Sequence, residues 1–95
     1  MNMKYELIVW IHSNLDNFPS LHLIEYDANG NVPRKIDVFA SGETVLFVPK
    51  EGWNTVYQFD YPDEEFALTP EFHVFDITKE QFEAYLSRVT KKEAV

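Results

Sequence analysis

The sequence predicts an α+β fold: an antiparallel β-sheet of about five or six strands in meander order, covered by one C-terminal α-helix. Two kinds of observation carry that prediction. Apolar stretches of strand length recur through the first half, separated by turn chemistry at residues 13–20, Asn29-Gly30 and Ser41-Gly42-Glu43. Near the C-terminus, Thr78 and Gln81 have capping-box spacing, and Phe82, Tyr85, Leu86 and Val89 follow at i, i+3, i+4 and i+7.

In chain order, MKYELIVWIH (residues 3–12) is apolar on both alternating faces, which fits a central strand packed on each side. LHLIEYD (21–27) is a second strand, and Asn29-Gly30 supplies the positive-φ residues of a tight hairpin. Pro33 opens a third strand, RKIDVFA, with Ile36 and Val38 on one face, and TVLFVP is the fourth. WNTVYQF (53–59) places Trp53, Thr55, Tyr57 and Phe59 on one side and reads as a fifth strand. FHVFDI (72–77) is a short sixth. The closing helix carries Lys91 and Lys92 near its C-terminus, where cations favour the helix dipole.

The 95 residues make one domain, 1–95, and 45% of them are hydrophobic, enough for a core without staples. There is no cysteine, so disulfides and thiolate metal sites are excluded and a reducing, cytoplasmic setting is expected. The N-terminal segment alternates and lacks a small-residue cleavage site, so it reads as a strand rather than a signal peptide. No run approaches the roughly 18 apolar residues of a membrane span. The net charge of −8 repels phosphate backbones and attracts basic proteins. The expected partner is therefore a basic protein such as a toxin or nuclease domain, with no direct nucleic acid and no membrane, and the chain itself a monomer or weak homodimer.

Catalytic patterns are weak. His12, His22 and His73 are the only histidines, and His12 and His22 with Asp16 lack the spacing of any compact metal motif. Ser13 adjoins His12, but neighbours on a strand point to opposite faces. Three glycines leave no room for a phosphate-cradling loop. No enzyme, cofactor or metal is expected.

The informative window runs from Glu51 to Thr78, with seven acids and no lysine or arginine. Within it, FDYPDEEFALTPEF mixes acids with aromatic side chains, the composition of an interface in which charge steers and rings anchor. Asp60, Tyr61, Asp63, Glu64, Glu65, Phe66 and Glu71 are the candidate partner-binding residues. Phe59, Phe72 and Phe75 are expected in the core, as alternate aromatics usually are.

Trp10-Ile11-His12, the run Arg34-Lys35-Ile36-Asp37-Val38-Phe39 followed by Gly42, and the helix entry from Ile77 to Phe82 resemble a family of small bacterial domains with no agreed activity. After His12 that family has a short Asp-Phe-Pro turn, where this chain runs Ser13 to Pro19. Such domains are similar to the immunity proteins of bacterial toxin systems. The resemblance implies a small acidic binder that neutralises a basic nuclease; the expected function is an immunity protein that occludes the active site of a cationic, nuclease-type toxin. The alternatives are a phage or plasmid nucleic-acid mimic that inhibits a defence nuclease, and a small-ligand-binding or enzymatic domain, which would show a deep pocket holding a histidine and a carboxylate.

Overall fold

The computed structural model describes residues 3–56 and 71–94. The strands are β1 (Lys4–Ile11), β2 (Leu21–Tyr26), β3 (Arg34–Val38), β4 (Thr44–Val48), β5 (Glu71–Ile77) and β6 (Lys91–Ala94), with one helix, α1 (Lys79–Leu86), between the last two. They form one sheet in the order β5-β1-β2-β3-β4-β6. Every pairing is antiparallel except the parallel one between β4 and β6. The α+β class and the first four strands are as expected. The sheet is mixed, however, and the helix is short and leads into a strand rather than ending the chain.

The β2–β3 and β3–β4 hairpins share one local solution. Asp27 N–H donates to Asn31 O, Gly30 N–H donates to Asp27 O, and Asp27 Oδ1 accepts from the amides of Asn29 and Asn31. Gly30 alone takes a positive φ, of 83°, and Asn29 does not, so the turn needs one left-handed residue rather than two. Gly42 repeats the device between β3 and β4, where Phe39 N–H donates to Glu43 O.

Side chains from the sheet feed two apolar clusters. One gathers Tyr5, Leu23 and Ile36 around Phe82 of α1, and the other gathers Ile24, Val32, Val45, Phe47 and Val56. The second cluster exists because residues 50–56 fold back on the sheet: Val56 N–H donates to Val32 O, and Val32 N–H donates to the Thr55 hydroxyl. Residues 53–56 are consequently not a strand, which corrects the expected fifth strand over its described part. Trp53 is half exposed with the Lys50 ammonium 4.6 Å from its ring centroid. Residues 57–59 of that expected strand lie outside the described residues.

The capping box forms as read: Gln81 N–H donates to Thr78 Oγ1 (3.1 Å), and Thr78 N–H donates to Gln81 Oε1 (2.8 Å). The helix nevertheless stops at Leu86, and Lys91 and Lys92 belong to β6 rather than to its last turn. β4 would otherwise end the sheet with open backbone groups. Thr90 N–H donates to Thr44 O (2.8 Å), and the strand continues from there in register Val45↔Lys91 to Val48↔Ala94. Sheet pairing outweighs the few tenths of a kcal/mol per residue by which helix propensities differ, and Val89 and Thr90 are β-branched.

Beneath the helix, Glu25 is buried and receives Arg34 through two hydrogen bonds, Nε to Oε1 at 2.8 Å and Nη2 to Oε2 at 2.5 Å. Burial pushes the Glu25 carboxyl up, but the Arg34 hydrogen bond and charge, with the Tyr5 hydroxyl, bring it net below the usual carboxylate value. A lowered folded-state pKa contributes stability that is present above the unfolded value and lost as pH falls through the folded one. Glu25→Gln should therefore lower stability by about 1–3 kcal/mol at pH 7. Urea unfolding should show that deficit shrinking below about pH 4. A deficit that stays constant down to pH 3 would rule out the ion pair as its source.

Candidate functional site

The seven residues of β5 pair with β1 on one side, and no other described strand lies beyond them. The ladder register sets Trp10 opposite Phe72, Val9 opposite His73, Ile8 opposite Val74 and Leu7 opposite Phe75. Trp10 is buried and stacks on Phe72 with ring centroids 5.7 Å apart and planes within 8°. Phe72, Val74 and Phe75 themselves are 52%, 57% and 53% exposed. That overturns the expectation that Phe72 and Phe75 are core. Alternation correctly places them on opposite faces, but an edge strand has a neighbour on one side only. The short helix covers part of one face, and its buried side chain is Phe82.

Glu71 opens this strand and is exposed, with Oε2 3.1 Å from His73 Nε2 on the same face. Of the predicted partner-binding residues it is the one within the described set; Asp60, Tyr61, Asp63, Glu64, Glu65 and Phe66 lie outside it, as does Phe59. On the opposite face Asp76 stands across from Glu6, which also pairs with Lys4 at 3.4 Å. β5 contains no lysine or arginine, so its charged side chains other than His73 are both acids.

The histidines singled out in the sequence are separately engaged. His12 follows β1 and ties the 12–19 turn: its Nε2 lies 2.8 Å from Pro19 O, and its Nδ1 accepts the Asn14 amide at 3.1 Å. A carbonyl accepts and an amide donates, so the proton in this arrangement sits on Nε2. His22, on β2, lies 2.8 Å through Nδ1 from Asp37 Oδ1, and Lys35 Nζ approaches the same oxygen at 3.3 Å. Among the described residues, no group of three or more acidic, histidine or cysteine side chains is placed to hold a metal ion. No helix among them is long and apolar enough to cross a membrane.

The buried His22–Asp37–Lys35 cluster was missed because Lys35 and Asp37 alternate with Ile36 and Val38, a pattern that reads as a solvent face. Asp37 is only 3% exposed. Burial pushes the Lys35 ammonium below its ordinary pKa, partly offset by Asp37. An open groove of about 560 Å³ lies between the 15–17 and 39–43 turns, lined by Leu15, Asp16, Asn17, Phe39 and Glu43 among others. It holds two carboxylates and no histidine. The chain matches no family model, no curated protein and no solved structure.

Proposed function

We propose that this chain is an acidic protein-binding module that takes a basic protein partner. In its narrower form the chain is an immunity protein and the partner a cationic, nuclease-type toxin domain whose active site it occludes. The observation that carries the reading is an edge strand with three large apolar side chains half exposed, in a chain of net charge −8. Phe72 and Val74 are neighbours on one face, and contiguous exposed apolar groups mark interaction surfaces more often than scattered ones do. The charge selects a cationic partner and speeds its approach at low salt. Carboxylates of the 60–71 window stand in for the phosphates that a nuclease site is built to receive, and one or two aromatics anchor the contact. The resemblance of the Trp10-Ile11-His12 and Arg34–Phe39 motifs to small bacterial domains supports the narrower form.

The test is titration of the product of the adjacent upstream gene against this chain, at several salt concentrations, with its nuclease activity followed in parallel. Expected is saturable binding, an on-rate that falls as salt rises, and loss of nuclease activity at stoichiometric ratio. Reversing Asp63, Glu64 and Glu65 to lysine should slow association, most at low salt. Absence of binding at every ionic strength would remove the immunity reading. Binding with the charge reversal silent throughout would move the interface away from the acidic window.

A further inference from the structure

We infer that β5 is a strand-addition edge, which takes up an extended cationic segment of the partner through the backbone of Phe72, Val74 and Asp76. The inference deepens the protein-binding reading and rests on it.

The direction of the backbone groups follows from one hydrogen bond. Trp10 N–H donates to Ser20 O at 2.8 Å, so the backbone of Trp10 points toward β2. Backbone direction alternates along a strand, so Ile8 and Glu6 point the same way, and Tyr5, Leu7, Val9 and Ile11 point toward β5. Their ladder partners Ile77, Phe75, His73 and Glu71 return those bonds. The N–H and C=O of Phe72, Val74 and Asp76 are left facing away from β1. An extended chain laid there meets three donors and three acceptors in regular order.

The two edges of the sheet differ in a way that singles this one out. β6 is four residues long and reads KKEA, a short, lysine-bearing edge of the kind that resists added strands. β5 is seven residues long and carries no lysine and no proline. Among the described residues it is the edge without a lysine, a proline or a covering element.

Side chains specify the occupant. On one face the edge offers Phe72, Val74 and then Asp76 beside Glu6. A strand lying against it matches that face with two apolar residues and one cation at alternate positions. On the other face Glu71 calls for a second cation and Phe75 for an apolar neighbour. A second copy of the chain would bring −8 against −8 and no lysine or arginine from β5, so the occupant is a basic segment of another protein.

The probe is a capped seven-residue peptide, Lys-Val-Thr-Val-Val-Lys-Val, whose positions 1 to 7 match Glu71 to Ile77 in order, added to the whole isotope-labelled chain and followed by amide NMR and hydrogen exchange. The amides of Phe72, Val74 and Asp76 should gain at least tenfold protection, while those of His73 and Phe75, already bonded to β1, change little. The same peptide with glutamate for lysine should bind at least tenfold more weakly. Val74→Pro removes an outward N–H and no β1–β5 bond, so it should keep the fold and cost at least tenfold in peptide affinity. If that variant unfolds, the alternating protection in the unsubstituted chain still decides. Protection that is absent, or that lacks the 72, 74, 76 alternation, overturns strand addition, as does equal binding of the acidic peptide. Protection that rises with protein concentration alone overturns it in favour of self-association. A partner that binds while leaving these three amides unprotected overturns strand addition alone. A peptide that binds while the upstream gene product does not would leave the edge intact and remove the immunity reading.

Discussion

Replacing Asp37 with alanine is expected to destabilise the domain by about 3–5 kcal/mol, a large share of the 5–15 kcal/mol typical of such folds. One carboxylate oxygen serves two buried groups: His22 Nδ1 at 2.8 Å and Lys35 Nζ at 3.3 Å. Its removal takes the carboxylate from an ammonium whose charge burial already disfavours and the acceptor from a buried imidazole N–H. The Lys35 side chain also lies near the Phe47 ring, 5.8 Å from its centroid, a contact too weak to replace the ion pair. Urea denaturation at pH 7 measures the loss. A value below about 1 kcal/mol would mean that water or a rearranged neighbour takes over from Asp37. A second variant separates the cost of breaking the cluster from the worth of having it. Leucine at 37 and 22 with methionine at 35 replaces all three groups by apolar ones. That variant should recover most of the loss, because a buried ion pair repays its own desolvation only partly.

Phe82→Ala should cost about 3–5 kcal/mol, through lost burial and the cavity left between helix and sheet. Phe82 is the buried residue of α1, with its ring centroid 5.2 Å from that of Tyr5 and the Arg34 guanidinium 5.2 Å from it. Leu23 and Ile36, both fully buried, belong to the same cluster. Leu86 packs against the same cluster but is only partly buried. Leu86→Ala is therefore expected to cost about 2 kcal/mol or less. Paired thermal and urea unfolding of the two variants checks the ranking. Should Leu86→Ala prove the more damaging, the helix docks through its last turn and not through Phe82.

These two predictions differ in how far the sequence alone reaches them. Phe82 and Leu86 are legible as one apolar stripe behind a capping box, and the structure decides only which of them lies deeper. The Asp37 cluster is not legible, because a Lys-x-Asp alternation on a strand has the same pattern whether it faces water or side chains from other strands such as Trp10 and Phe47. The candidate site divides similarly. The excess of acid and aromatic residues between Glu51 and Thr78 is plain in the sequence, but its larger part, residues 57–70, lies outside the described residues. Phe72 and Phe75 were expected inside for a sound local reason and stand half exposed for a non-local one.

What the sequence by itself determined is local. Alternation placed β1 to β4, glycine placed the two hairpin turns, and Thr78 with Gln81 placed the start of α1. Each of these depends on residues within a few positions of one another, so the physics is complete within the window that is read. Only the tertiary structure decided which strands lie at the edges, which faces are covered, and that Lys91–Ala94 leaves the helix to pair in parallel with β4. Those outcomes depend on backbone groups and apolar surfaces brought together from distant parts of the chain. The open N–H and C=O groups of β4 recruit β6, and among the described residues β5 is the other edge because β1 supplies hydrogen bonds to one of its sides only.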